Sequence, residues 1–123
     1  MTEDDVTADC DQLARAAGWR VESYVDKRRV RTHPGLPDRR YVKPGKRLWV
    51  ELKAPKGKLT AEQHAWISAE LAAGGFATVV DGSEPFRRIL GLLARDGGRA
   101  EAMRVCEELV QLTAMRGYRA EAA

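Results

Sequence analysis

Three residues near the middle of the chain could together carry out hydrolytic chemistry: Asp38, Glu51 and Lys53. The stretch 38–53 has the pattern of a β-hairpin, and Lys43-Pro44-Gly45-Lys46 supplies the backbone angles of its turn. A turn centred between Pro44 and Gly45 sets Asp38 directly opposite Glu51. Directly opposed side chains have Cβ atoms about 4.5–5.5 Å apart, where like charges repel. A divalent cation would offset that repulsion. Mg²⁺ takes carboxylate oxygens at about 2.1 Å and keeps several waters, one of which can act as a nucleophile. Lys53 lies two residues beyond Glu51 and so projects from the same face. Its ammonium can steady the attacking water or stabilise charge developing on a scissile phosphate. A one-residue slip would turn Asp38 to the other face, so the register decides whether the site exists.

The elements that must position these residues follow from periodicity. Val6, Cys10, Leu13 and Ala17 make one apolar stripe of a first helix, which Gly18 ends. Trp19 to Val25 alternates as a strand, and Lys27 to Gly35 is a basic connector. In the second hairpin strand Leu48, Val50 and Leu52 share the core face, while Trp49, Glu51 and Lys53 share the other. Thr60 and Gln63 predict a capping box for a helix that runs to Ala73 and stops at Gly74-Gly75. Phe76 to Val80 reads as a buried strand. Helices over Pro85–Arg95 and Arg99–Arg116 follow, broken at Asp96-Gly97-Gly98. The last helix carries Met103, Cys106, Val110 and Thr113 at helical spacing. That stripe needs a partner, either the domain itself or a second subunit. Residues 119–123 are expected to fray. The order is α-β-β-β-α-β-α-α, an α/β (α+β) domain.

Composition fits this layout. The chain has 123 residues, 44% hydrophobic and 32% charged, which suits one globular domain. No apolar run approaches a membrane span, and the acidic start lacks the order of a signal peptide, so a cytoplasmic protein without membrane partners is expected. Cys10 and Cys106 fit no zinc pattern and read as small buried hydrophobes. Net charge is +3, yet residues 27–58 hold twelve Lys and Arg against only Asp38 and Glu51. That block suits a polyanion or, more simply, a solubilising surface. Gln63 heads the face of Ile67 and Leu71, either as a capping residue or as a contact to the metal site or a phosphate. Trp49 can stack on Arg40 or on a base. His64 reads as a surface or packing residue, and His33 stays open.

Gly35-Leu36-Pro37-Asp38, Trp49-Val50-Glu51-Leu52-Lys53 and Gly57-Lys58-Leu59-Thr60-x-x-Gln63 form three ordered blocks. Together they resemble the VRR-NUC branch of the PD-(D/E)XK nucleases, over roughly Thr2 to Val80. The resemblance implies a restriction-endonuclease-like core over 1–95, a mixed central sheet flanked by helices, and a C-terminal helix over 96–123 on the core or at a dimer interface. It implies that Asp38, Glu51 and the Leu52 backbone carbonyl bind Mg²⁺ or Mn²⁺, joined by Asp5 or Glu3. Lys53 would be the catalytic lysine and Gln63 the helix glutamine. It also implies a DNA endonuclease, with branched DNA among its substrates, like the small phage-type, Holliday-junction-resolvase-like homodimers. Arg28, Arg29, Arg31, Arg39, Arg40, Lys56 and Lys58 would then contact DNA. The family pattern has a leucine where this chain has Glu70, followed by Leu71. The competing expectation is a non-catalytic nucleic-acid-binding module using the same basic block.

Overall fold

The computed structural model describes residues 1–24 and 34–120. Arg28, Arg29, Arg31 and His33 lie outside the described residues. The first helix, α1 (Glu3–Ala16), starts with a reciprocal capping box between Thr2 and Asp5 and three acids in its first turn. Gly18, with φ 86°, ends it as expected. Its buried stripe is Val6, Cys10 and Ala14; Leu13 lies at the margin and Ala17 is exposed. The expected stripe shifts because Ala17 is already the C-cap, outside the helix.

Strands β1 (Arg20–Ser23), β2 (Arg39–Lys43), β3 (Lys46–Leu52) and β4 (Phe76–Val80) form one sheet in that order. β1–β2 and β2–β3 are antiparallel; β3–β4 is parallel. A parallel pair needs a crossover, and α2 (Ala61–Ala72) supplies it. Two further helices, α3 (Ser83–Ala94) and α4 (Arg99–Ala114), complete the expected order α-β-β-β-α-β-α-α. α3 begins two residues before Pro85, which sits in the first turn, where its missing N–H costs nothing.

Both faces of the sheet are packed. Leu48, Val50 and Leu52 point into a larger core with Val6, Cys10, Tyr41 and Phe86. On the other face Ala77 and Val79 join Leu59, Ile67 and Val110, with Trp49 and Trp66 against them. α4 straddles the edge strand β4: Ala102, Val105 and Cys106 belong to the first core and Val110 to the second. The Thr78 hydroxyl donates to the Cys106 carbonyl at 3.0 Å. The last helix therefore buries its stripe on its own domain and covers an otherwise open sheet edge. The start of the tail is anchored rather than frayed, since the Arg119 N–H donates to the Leu59 carbonyl at 2.7 Å. Both cysteines are buried and free, and burial pushes each thiol up to about 12. Among the described residues no helix is long and apolar enough to cross a membrane.

One polar group enters the larger core. Asp11 accepts from the Tyr41 hydroxyl at 2.8 Å and pairs with Arg39 at 3.3 Å, tying α1 to β2. Replacing it leaves a buried hydroxyl and a mostly buried guanidinium without their acceptor. Asp11→Ala should therefore lower unfolding free energy by about 2–3 kcal/mol in urea titrations, and Tyr41→Phe by about 1 kcal/mol.

Candidate active site

The two-residue turn at Pro44-Gly45 sets the hairpin register, with Gly45 at φ 74° and Lys43 paired to Lys46. The outermost pair of the β2–β3 ladder is Arg39↔Val50. Carried one step beyond the ladder, that register sets Asp38 against Glu51, and the Asp38 charge does act on the Glu51 carboxyl. Asp38 is also fixed from its other side, because its carbonyl accepts the Tyr24 N–H at 2.8 Å. The loop before it is pressed onto the first turn of α2. Gly35 has φ 85°, and a Cβ there would stand 2.2 Å from the Glu62 carbonyl oxygen. Only glycine meets both demands.

Glu51 is 2% exposed and Lys53 is 3% exposed. A strand face carrying Glu-x-Lys would ordinarily be solvated; here Thr60 and α2 close over it. Glu51 Oε2 lies 3.3 Å from Lys53 Nζ and accepts from Gln63 Nε2 at 3.2 Å. Gln63 plays both of its expected roles at once. Its Oε1 accepts the Thr60 N–H at 2.9 Å, closing the capping box, while its Nε2 reaches Glu51. Leu52, between the two charged residues, buries its side chain in the opposite core and offers the site only its backbone. The turn Ala54–Gly57 folds back on Lys53, with Lys56 held at φ 63°. A Cβ at Gly57 would stand 2.8 Å from Lys53 Cβ. Arg116 holds this turn, donating to the Gly57 carbonyl and pairing with Asp81, both at 3.1 Å.

The electrostatics are unusual for a carboxylate. Burial, and then the nearby charge of Asp38, push the Glu51 carboxyl up to about 8, with Lys53 opposing them. Glu51 Oε1 is buried and has no hydrogen-bond partner among the described residues. An orphaned buried oxygen beside a second acid fits a hard divalent cation. Among the described residues no cluster of three or more His, Cys, Asp or Glu could hold a metal ion.

Other expected site residues are placed differently. Asp5 and Glu3 are exposed in the first turn of α1, and Asp5 accepts the Thr2 N–H, which lowers its pKa. Neither joins the acid pair. Arg39 faces the opposite core, bound to Asp11 and to Ser23 Oγ. Arg40 lies on the Glu51 side, 5.3 Å from the Trp49 ring centroid and paired with Glu22 at 2.6 Å. Lys56 and Lys58 are exposed on the loop after Lys53. His64 packs beside Tyr118. Tyr24, Trp49 and Trp66 form an aromatic chain on this side of the sheet, with centroids 5.2 and 5.1 Å apart. Trp66 carried no signal for this, because α2 brings it across the sheet. No family model matches the chain, and no curated protein matches it.

Two outcomes follow. In metal-free protein the Glu51 carboxyl should titrate between about pH 7 and 9, read by side-chain ¹³C shifts. The folded value exceeds the unfolded 4.5, so this group weakens folding progressively as pH rises from about 4.5 to about 8. Gly35→Ala should destabilise the fold by more than about 1 kcal/mol, with the largest amide shift changes at Asp38 and Gln63.

Proposed function

We propose that the chain is a divalent-metal-dependent nuclease that hydrolyses phosphodiester bonds of DNA, as the resemblance to the VRR-NUC family implies. The observation that carries this reading is the buried Glu51 carboxylate opposite Asp38, its Oε1 unpartnered and its Oε2 between Lys53 and Gln63. Asp38 and Glu51 would hold Mg²⁺ or Mn²⁺, with the Leu52 carbonyl adjacent. A bound cation supplies Lewis acidity and lowers the pKa of a coordinated water. Lys53 places a positive charge where negative charge develops on the phosphate, and its burial strengthens that interaction. Gln63 orients Glu51 and leaves one carboxylate oxygen free for the metal. Burial and the charge of Asp38 hold a proton on Glu51, so metal binding should release that proton and tighten as pH rises toward about 8.

The test is a panel of duplex, flap and four-way-junction DNA incubated with clean protein and Mg²⁺ or Mn²⁺. Cutting should require the metal. Lys53→Ala should retain DNA binding and cut at least about 100-fold more slowly. Salt-sensitive binding with no cutting of any substrate, indifferent to Glu51→Ala, would instead support a binding module.

A further inference from the structure

A second cleft lies on the same face of β3, four residues from Glu51 toward the hairpin turn. It has a volume of about 380 Å³ and is bounded by Arg40, Lys46, Arg47, Trp49, Glu70 and Arg99. Arg47, Trp49 and Glu51 alternate along β3, so the cleft and the acid pair share one side of the sheet.

Its charges differ in availability. The Lys46 ammonium donates to the Leu93 carbonyl, and Arg40 is paired with Glu22. Arg47 is exposed and has no ion pair or hydrogen bond among the described residues. Arg99 lies with its guanidinium carbon 4.7 Å from the Phe76 ring centroid; it is exposed and has no ion pair or hydrogen bond among the described residues. Glu70 is the one acid. It packs against Gly75, where a Cβ would stand 2.3 Å from its Oε1. Among the described residues it forms no ion pair with the four cations. Two arginines that neutralise no neighbour thus face an open cleft, the arrangement that takes a phosphate by charge-assisted hydrogen bonds.

We infer that this cleft is a phosphate-binding subsite for the nucleic-acid strand whose scissile bond lies at Glu51. The inference rests on the proposed nuclease reading for the position of the cut, but not for binding. Four residues of strand span about 13 Å. A duplex strand rises about 3.4 Å per nucleotide, so the phosphate in the cleft lies about four nucleotides from the cut. Arg47 and Arg99 bind it. Glu70 stands where the VRR-NUC pattern has a leucine, and it limits the affinity.

Binding of labelled single-stranded and duplex oligonucleotides is measured in EDTA, where no cutting occurs, across a salt series. Arg47→Ala with Arg99→Ala should weaken binding about 10-fold and reduce the salt slope by about 1, the value for one phosphate. Arg15→Ala with Arg88→Ala, exposed arginines on the helices of the opposite face, should change neither. Glu70→Gln should tighten binding a few-fold, an effect of opposite sign that misfolding would not mimic. An uncharged methylphosphonate scanned along the strand should weaken wild-type binding at one position and not weaken the double variant further. Equal affinity and slope in the two double variants would overturn the subsite, as would displacement of the strand from the cleft by equimolar orthophosphate. Metal-dependent cutting with no effect of Arg47 and Arg99 would leave the nuclease reading intact. Cleft-dependent binding without cutting would retain the subsite and retire the nuclease.

Discussion

The constraint on which the site depends is the burial of one carboxylate. Glu51 is inside the protein, next to another acid, and only one of its oxygens is satisfied by its neighbours. Left ionised and alone, such a group would be costly. The fold meets part of the cost with Lys53 and Gln63 and leaves the remainder to a proton or a cation. The raised pKa expresses that cost, set first by burial and then by the charge of Asp38, and in the proposed metal site a cation would displace the proton.

Several features look different once they are seen as supports for that carboxylate. α2 is the crossover that makes β3–β4 parallel, and its first turn also brings Gln63 onto Glu51. Gly35 lets the preceding loop lie against the same turn, which holds Asp38 in place. The Ala54–Gly57 turn folds over Lys53, and Arg116, just beyond α4, secures it through Asp81 and the Gly57 carbonyl. The C-terminal segment therefore both closes the edge of β4, through α4, and steadies the loop between Lys53 and Gln63, through Arg116.

Local features were legible in the sequence. Pro44-Gly45 defined the turn, the turn defined the register, and the register put Asp38 against Glu51. Thr60 and Gln63 marked the helix start, and alternation assigned Leu48, Val50 and Leu52 to the core. What could not be read depends on contacts between distant segments. Glu51 and Lys53 are buried because distant segments return over them, Gln63 of α2 onto Glu51 and the Ala54–Gly57 turn onto Lys53. Asp11 enters the core because Tyr41 and Arg39 come from β2 to meet it. The acids near the N-terminus look available in sequence, yet helix capping engages Asp5 and leaves Glu3 exposed. Arg47 and Arg99 are 52 positions apart, and only the fold makes them neighbours.

The claim that Asp38 and Glu51 form a divalent-cation site is tested most directly by anomalous diffraction from crystals of the full chain grown with Mn²⁺ above pH 8. A peak within bonding distance of carboxylate oxygens of both Asp38 and Glu51, absent in Glu51→Gln crystals, is the predicted result. No peak between the two acids, with Glu51 still paired to Lys53 as it is without metal, would contradict the account.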